Sequence, residues 1–307
     1  MYSVTLTKII EKLDLTNVTP EIDTDNVLVE QMDVNRPALQ LAGFYDHFDN
    51  DRIQIIGNVE YAYLEQAGEE MAVDIMRTLL SYKIPGMVFC RNHEIKEEIR
   101  QLAVENGVPL LKTNDTTCDF MASLIRFLKE ELAPRISIHG VLVDVYGEGV
   151  LIMGESGIGK SEAAIELIKR GHRLVSDDVV EIKKISDAVL VGSAPDITRH
   201  FIELRGIGII DVKTLYGVQS VKDKQEINLV IKLEEWNKER EYDRLGLDEQ
   251  YTEFLGNKVV CHQIPIRPGR NLAIIVESAA VNHRQKMMGY NAARELYNRV
   301  TNSMIGK

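Results

Sequence analysis

The sequence predicts an α/β protein with two domains, residues 1–133 and 134–307. Short apolar runs of strand length alternate along the chain with segments whose apolar residues recur at helical spacing, and this alternation is typical of α/β folds. The composition changes at Ala133-Pro134-Arg135, where a proline interrupts the pattern. The 307 residues also provide enough chain for about two hydrophobic cores.

The first domain contains a predicted strand–helix–strand unit. Residues 87–90 form a short apolar run after Pro85-Gly86, and residues 94–105 carry apolar side chains at helical spacing. Residues 107–111 then return to an extended pattern. This order predicts a βαβ unit with parallel strands.

A capped helix is predicted to close the first domain. Asp115-Thr116-Thr117 is an N-cap pattern, and the helix is expected to end near Leu132 because Pro134 cannot continue it. The apolar face of this helix contains Met121, Leu124, Ile125 and Leu128. The chain shows no catalytic pattern before residue 134, so we interpret the first domain as a regulatory or assembly domain.

The second domain is predicted to begin with a β-hairpin. Two apolar runs, residues 141–146 and 150–153, are joined by a turn that contains two glycines. A second hairpin is predicted over residues 180–191, and a single helix over residues 285–301.

The most informative motif is G-x-x-x-x-G-K-S, formed by Gly154, Glu155, Ser156, Gly157, Ile158, Gly159, Lys160 and Ser161. An apolar run precedes this phosphate loop and a helical pattern follows it. In that context, backbone N–H groups and a helix N-terminus converge on phosphate oxygens. The motif predicts that Lys160 reaches the β- and γ-phosphates of a nucleotide and that the Ser161 hydroxyl binds Mg²⁺.

Two adjacent acids follow the next apolar segment. Asp177 and Asp178 lie at the expected end of a strand over residues 173–176. Phosphoryl transfer requires a metal and a group that takes the proton of the acceptor. One carboxylate is therefore predicted to act near the metal and the other as a base. A turn with solvated acids is the alternative interpretation.

Two further segments combine charge with glycine or proline. Residues 202–212 place Glu203 and Arg205 among apolar residues and glycines, which suggests a metal ligand and a phosphate partner. A strand with a glycine bend explains the same pattern without a ligand. Residues 265–271 form a basic turn with Arg267 and Arg270 that suits another anion.

Composition limits the classes of function. The net charge of −11 argues against a general nucleic-acid or anionic-membrane surface. The sequence contains no run near the roughly 18 apolar residues that span a bilayer. The start of the chain, Met1 to Thr5, lacks the pattern of a signal peptide. The three cysteines are far apart, which favours reduced thiols in a cytoplasmic protein.

Taken together, these motifs resemble the bacterial HPr kinase/phosphorylase family. The resemblance covers nearly all of residues 135–307 in order, while the first domain carries weaker markers. The matching segments are His139-Gly140-Val141, Gly154 to Ser161, Arg170 to Leu174, Asp177-Asp178, Ile202 to Val212, Pro265 to Asn271 and Met288 to Ala293.

The resemblance implies a bifunctional enzyme that acts on a regulatory serine of the phosphocarrier HPr. It implies phosphorylation with ATP or pyrophosphate, and removal of the phosphate by inorganic phosphate with release of pyrophosphate. It also implies a P-loop kinase domain similar to the phosphoenolpyruvate carboxykinase fold, a homohexamer, and fructose 1,6-bisphosphate as an effector. The implied carboxykinase-like fold agrees with the predicted hairpin before the phosphate loop. In the usual P-loop core, the strand before the loop is parallel to its neighbours.

The resemblance also assigns roles to individual residues. Asp178 matches the base for phosphorylation and the proton donor for dephosphorylation, and Ser161 and Glu203 match the Mg²⁺ ligands. His139 and Arg244 match active-site positions, although the sequence alone would not single out Arg244. Residues 202–211 match a segment that acts in both reactions, and residues 265–270 one that acts in dephosphorylation. Arg267 departs from the lysine that is frequent in the family, and the difference in geometry places phosphorylase efficiency in question.

Two other functions fit parts of the pattern. A carboxykinase-like small-molecule kinase shares the phosphate loop and the acids but requires a pocket for a small substrate. A nucleotide-regulated binding module needs the phosphate loop alone, and neither an adjacent acid pair nor a second basic turn.

Overall fold

The chain forms two compact units, Met1–Ala133 and Pro134–Lys307. The computed structural model describes residues 2–237, 239, 246, 247, 249–267 and 269–305. Arg244 and Pro268 of the predicted site therefore lie outside the described residues. Both units combine helices with sheets that mix parallel and antiparallel strands. The predicted two-domain α/β class is confirmed.

The first unit is built around a five-stranded sheet. In chain order its elements are β1 (Val4–Thr5), α1 (Leu6–Lys12), β2 (Thr16–Asn17), β3 (Leu28–Val29), β4 (Val34–Asn35), α2 (Ala38–Leu41), β5 (Ile53–Ile56), α3 (Asn58–Ala67), α4 (Glu69–Leu80), β6 (Met87–Phe89), α5 (Glu97–Asn106), β7 (Leu110–Lys112) and α6 (Thr117–Glu131). The strand order is β2-β7-β6-β5-β4, and only β2 pairs in the antiparallel sense. The predicted βαβ unit is β6–α5–β7.

Helices cover both faces of this sheet. Ile55, Val88 and Leu111 pack with buried residues of α1 and α6 on one face. Their chain neighbours, such as Ile56 and Leu110, pack with α4 and α5 on the other face, because successive side chains of a strand point to opposite sides. The predicted cap of α6 is also present, since the Thr116 hydroxyl accepts the Asp119 N–H at 3.3 Å.

The second unit contains a six-stranded and a four-stranded sheet. Its elements are β8 (Arg135–His139), β9 (Val141–Val145), β10 (Glu148–Met153), α7 (Lys160–Lys169), β11 (Arg173–Ser176), β12 (Val179–Lys184), β13 (Leu190–Ser193), β14 (Phe201–Leu204), β15 (Gly208–Asp211), α8 (Val212–Tyr216), β16 (Lys224–Glu226), β17 (Leu229–Glu235), β18 (Gln250–Phe254), β19 (Asn257–Ile266), α9 (Leu272–Met287) and α10 (Ala292–Ile305). The large sheet has the order β11-β9-β10-β17-β19-β18, and the smaller sheet β16-β13-β12-β8. The pair β14–β15 forms a separate hairpin.

Both predicted hairpins of the second unit are present. Strands β9 and β10 pair in the antiparallel sense, as do β12 and β13. On its other side β10 is parallel to β17, which is in turn parallel to β19. The strand before the phosphate loop therefore has one antiparallel and one parallel neighbour.

The large sheet is buried on both faces. Val150, Ile152 and Ile231 pack against apolar residues of α7 and α9. Leu151 and Val230 point to the opposite face, where they pack with Val180 and Ile182 of the smaller sheet. A layer of helices on one face and the smaller sheet on the other thus keep the apolar side chains of the large sheet out of water.

The end of the chain differs from the prediction of one helix over residues 285–301. Helix α9 already begins at Leu272 and ends at Met287, and α10 starts at Ala292. Gly289 adopts a φ of 95° between them, a left-handed conformation that glycine accepts and that ends the helix. Met288 and Leu296, placed on an inner face by the spacing, are 80% and 56% exposed. Within the described chain, no helix has the length and hydropathy to cross a bilayer.

The helix behind the phosphate loop should depend on its buried leucine. Leu167 of α7 is fully buried in the core of the second unit. We expect Leu167→Ala to lower the free energy of unfolding by about 2–5 kcal/mol, because it removes apolar contacts and leaves a cavity. Urea unfolding measures this change. The matched control Leu296→Ala, on exposed α10, should change stability by less than about 0.5 kcal/mol. Equal losses in the two variants would contradict the assignment of this core.

Candidate active site

Strand topology brings the predicted site segments to one edge of the large sheet. Strand β9 starts after Gly140, and its two antiparallel neighbours β10 and β11 end beside that start. The phosphate loop follows β10, and Asp177 follows β11. Strands β17 and β19 run parallel to β10 and so end at the same edge. The carboxyl ends of parallel strands are a common place for ligands in α/β proteins.

The phosphate loop, residues 154–161, has the backbone that close approach to an anion requires. Gly154, Gly157 and Gly159 all have positive φ, at 153°, 85° and 99°. A Cβ on Gly154 would lie 2.7 Å from the Leu233 carbonyl oxygen, so the loop packs directly on the neighbouring strand. Helix α7 begins at Lys160, which leaves its first N–H groups directed at the loop.

Lys160 folds back over the phosphate loop. Its Nζ donates to the Gly154 and Glu155 carbonyl oxygens, both at 2.9 Å. The ammonium group is therefore held above the loop, where it is available to an anion bound by the backbone N–H groups. That Lys160 reaches the phosphates of a nucleotide stays a prediction.

Asp177 joins two segments that are remote in sequence. One carboxylate oxygen accepts the Ser161 hydroxyl at 2.8 Å, and the other accepts the Glu203 backbone N–H at 3.1 Å. The residue is 5% exposed, and burial is the main reason that the pKa of its carboxyl is raised, against the effect of both hydrogen bonds. Asp177 thus fixes the first turn of α7 against the β14–β15 hairpin.

Asp178 has the opposite environment from its neighbour. Its φ of 65° turns the chain between β11 and β12, and its side chain is 75% exposed. The Asp178 carbonyl accepts the Gly140 N–H at 2.9 Å, which holds the turn beside the end of β8. One carboxylate oxygen lies 3.6 Å from His139 Nδ1. The turn therefore separates the acid pair into a buried, bonded carboxylate and an accessible one.

The Arg205 side chain contacts the phosphate loop, a position that a phosphate-binding residue requires. Its Nη2 donates to the Ser156 hydroxyl at 2.9 Å. A Cβ on Gly157 would lie 2.5 Å from Arg205 Nη1, so a side chain at this position would displace the guanidinium from the loop. The β14–β15 hairpin thus contributes Arg205 to the loop and, through the Glu203 backbone, a bond to Asp177.

The residues around Ser161 offer only oxygen donors. Ser161 contributes a hydroxyl and Asp177 a carboxylate, and Glu203, whose backbone bonds Asp177, carries a second carboxylate on an exposed side chain. Within the described residues, no group of three or more His, Cys, Asp or Glu side chains could hold a metal ion by itself. Mg²⁺ prefers oxygen ligands and is usually bound by one or two carboxylates together with phosphates and water. The donor set fits that ion.

The basic turn, residues 265–270, is held by contacts that the sequence pattern did not predict. The Arg267 guanidinium stacks 3.5 Å from the ring centroid of Trp236, and Arg270 Nη1 donates to the Pro265 carbonyl at 2.6 Å. Within the described part of the chain, neither arginine contacts the phosphate loop. Trp236, the single tryptophan, directly follows β17, and the sequence analysis assigned it no role.

A cleft of about 550 Å³ opens beside the phosphate loop at this sheet edge. His139, Met153, Gly154, Glu155, Lys232 and Gln263 are among the residues that line it. The cleft joins the loop to the His139 side of the acid pair. Lys232 and Gln263 come from β17 and β19 and were not predicted as site residues, because they lie within otherwise apolar strands.

Comparison with known proteins gives consistent matches over both units. Residues 130–300 match the family described as HPr Serine kinase C-terminal domain, and residues 4–128 match HPr Serine kinase N terminus. The chain is 69% identical over 307 residues to the HPr kinase/phosphorylase of Lachnoclostridium phytofermentans, covering 100% of this chain and 99% of the relative.

Two further matches carry similar names. The HPr kinase/phosphorylase of Caldicellulosiruptor bescii is 53% identical over 304 residues, which cover 99% of this chain and 98% of the relative. A solved structure of the Hpr(Ser) kinase/phosphatase from Coxiella burnetii is 39% identical and covers 52% of this chain and 98% of its own, with a TM-score of 0.48.

The buried acid should give the metal-free protein a characteristic pH dependence. The pKa of the Asp177 carboxyl is raised above its ordinary value of 3.8, so the folded state binds this proton more tightly than the unfolded chain does. Stability is then lost as the pH rises from 3.8 through the folded pKa. In Asp177→Asn this loss disappears, while the amide can still bond Ser161 and Glu203.

We therefore expect Asp177→Asn to be more stable than the wild type at neutral pH in the presence of a chelator, and the difference to vanish in acid. Denaturant unfolding across a pH series measures it. Asp187→Asn is the matched control, because Asp187 is exposed in the β12–β13 turn and is not among the charges that raise the pKa of Asp177. A difference that is constant with pH would show that burial of Asp177 does not oppose its ionisation.

Proposed function

The chain belongs to the HPr kinase/phosphorylase family, and from this membership we propose that one anion site both adds a phosphoryl group to a serine of HPr and removes it. The chain is accordingly a serine kinase and phosphorylase whose protein substrate is HPr. The observation that supports a single site is the position of Asp177, which bonds Ser161 of the phosphate loop and the Glu203 backbone and precedes the accessible Asp178.

The donor is proposed to be ATP or pyrophosphate, bound with Mg²⁺. The N–H groups of the phosphate loop and the Lys160 ammonium bind the phosphate oxygens. Ser161 and Glu203 would hold the metal, beside Asp177. When bound, Mg²⁺ neutralises phosphate charge and stabilises the charge that develops during transfer. Arg205, bonded to the loop through Ser156, adds a further positive charge at the same phosphates.

Asp178 is proposed to handle the proton of the HPr serine. Asp177 already accepts two hydrogen bonds and is buried, whereas Asp178 is accessible to a protein substrate. In phosphorylation Asp178 accepts the hydroxyl proton as the serine oxygen attacks the terminal phosphorus. His139, 3.6 Å away, orients this carboxylate. Arg244, which lies outside the described residues, enters the proposal through the family resemblance.

The reverse reaction uses the same groups in the opposite roles. Inorganic phosphate in the phosphate loop attacks the phosphorus of phosphoserine, the bond to the serine oxygen breaks, and pyrophosphate forms. Protonated Asp178 returns its proton to the serine oxygen, as microscopic reversibility requires. Lys160 stabilises the same phosphorus-centred charge in both directions. The basic turn, with Arg267 and Arg270, is proposed to act in this direction.

The proposal has parts that rest on the family resemblance alone. These are a homohexameric assembly and fructose 1,6-bisphosphate as an effector, whereas a regulatory or assembly role for the first unit is proposed because that part of the sequence has no catalytic pattern. The direct test of the activity is to incubate the protein with HPr and ATP–Mg²⁺, then add inorganic phosphate. Phosphoserine on HPr followed by pyrophosphate release is expected. Release of free phosphate instead would identify a hydrolase and overturn the proposal.

Loss of the loop ammonium should remove both activities together. We expect Lys160→Ala to cost at least about 3 kcal/mol of transition-state stabilisation, roughly 100-fold in rate, by analogy with the loss of one oxyanion donor. Initial rates of HPr phosphorylation and of phosphorolysis measure the two directions. Lys169→Ala, at the exposed end of the same helix, is the control and should keep both. A variant at Lys160 that retains either activity would exclude a shared site.

Removal of the accessible carboxylate should affect chemistry and spare binding. We expect Asp178→Asn to lower the rate of serine phosphorylation by about 10²- to 10⁴-fold, the usual range for general base catalysis. Because the phosphate loop is intact, the nucleotide Kd measured by calorimetry should change by less than about threefold. A change of that size is well below the tenfold that corresponds to about 1.4 kcal/mol of binding free energy. Asp187→Asn, in the exposed β12–β13 turn, is the control. Turnover near the wild-type rate would remove Asp178 from the role of base.

A further inference from the structure

Helix α9 starts directly against the phosphate loop. Leu272 is its first residue, and a Cβ on Gly159 would lie 3.4 Å from Leu272 Cδ1. The basic turn, 265–270, ends at Arg270, next to the N-cap residue Asn271. The start of α9 therefore holds the C-terminal end of the turn, while Arg267 is held by its stack on Trp236.

Asn271 fixes that start with two hydrogen bonds. As the N-cap of α9, its Oδ1 accepts the Ile274 N–H at 3.0 Å. Its Nδ2 donates to Glu166 Oε1 at 2.5 Å. Glu166 belongs to α7, the helix that begins with Lys160. One side chain thus caps one helix and ties it to the other, and we call the Glu166–Asn271 pair the latch.

A second set of contacts holds Glu166 of the latch in position. Arg170 donates to Glu166 Oε1 at 3.1 Å and to Glu277 Oε2 at 2.9 Å. Glu277, on α9, also lies 2.8 Å from Nε2 of His172, whose side chain is 2% exposed. These contacts orient Glu166 and keep α7 and α9 in one register. The hydrogen bond from Asn271 is the main reason that the pKa of Glu166 is lowered, so its carboxylate is the charged acceptor at neutral pH.

We propose that the latch is a positioning pair that fixes the C-terminal end of the basic turn relative to the phosphate loop, and that it serves phosphorolysis more than phosphorylation. This inference rests on the proposed function, in which the arginines of the turn act on phosphate in the reverse direction. The groups assigned to phosphorylation, Lys160, Ser161 and Asp178, are held by bonds that do not involve the latch. A small displacement of the start of α9 therefore moves Arg270, which directly precedes the N-cap residue, and leaves those groups in place.

Asn271→Asp removes the hydrogen bond to Glu166 and keeps the cap of α9. Asp caps a helix as well as Asn does, but it has no N–H for Glu166 and places a second carboxylate beside it. We expect phosphorolysis to fall about tenfold in kcat/KM for phosphate, within the range that misplacement of a positioning group produces. We expect the rate of phosphorylation to change by less than about threefold, well below the effect of losing a transition-state donor.

The double variant Glu166→Gln with Asn271→Asp restores the latch with its polarity reversed. The amide introduced at position 166 can donate an N–H to the new carboxylate and still offer an oxygen to Arg170. The ratio of phosphorolysis to phosphorylation should therefore return towards the wild-type value in the double variant. A residue with a merely structural role would not give this recovery. Asn291→Asp is the matched control, because Asn291 caps the Arg294 N–H at the start of α10 in the same way.

The outcomes separate the inference from the proposed function. Asn271→Ser keeps a capping oxygen, cannot reach Glu166 and introduces no charge, so it replaces Asn271→Asp if that variant does not fold by circular dichroism. An unchanged activity ratio in a folded latch variant, or no recovery in the double variant, would overturn the latch. A wild-type protein that gives no phosphate-dependent pyrophosphate would instead overturn the proposed function, and the latch with it.

Discussion

The site depends on one buried carboxylate. Asp177 accepts hydrogen bonds from the Ser161 hydroxyl and the Glu203 backbone N–H. A single side chain therefore connects the first turn of α7 to the β14–β15 hairpin, which lies further along the chain. Burial opposes the ionised form of this carboxyl and raises its pKa. The hydrogen bonds from the Glu203 backbone and the Ser161 hydroxyl offset part of this cost.

The same constraint explains how adjacent acids take different roles. The chain turns at Asp178 with a positive φ, which sends one carboxylate under the phosphate loop and leaves the other at the surface beside His139. Burial and two hydrogen bonds give the first a structural role between the phosphate loop and the hairpin. Accessibility leaves the second free to exchange a proton with a protein substrate. In the proposed mechanism, proton transfer and phosphate binding use separate groups at one sheet edge, so the same site can operate in either direction.

Much of this arrangement was predictable from the sequence, because local patterns determine it. The hairpin before the phosphate loop, the βαβ unit of the first domain and the capped α6 follow from apolar spacing and turn residues. The bond from Asp177 to the Glu203 backbone and the stack of Arg267 on Trp236 were not predictable, since tertiary packing alone brings these segments together. The break between α9 and α10 was missed because apolar spacing continued across Gly289 while the side chains remained exposed. The latch left a weak signal in the N-cap pattern at Asn271, but its partner Glu166 lies on another helix.

The central claim is that one anion pocket serves both reactions, and competition between their substrates tests it most directly. Initial rates of phosphorolysis are measured at several phosphate concentrations with increasing amounts of a non-hydrolysable ATP analogue and Mg²⁺. A shared pocket predicts competitive inhibition, in which the apparent KM for phosphate rises, the maximal rate is unchanged, and the inhibition constant equals the dissociation constant of the analogue from direct titration. A fall in maximal rate at constant KM would show that phosphate and nucleotide bind at separate places, and it would contradict the account.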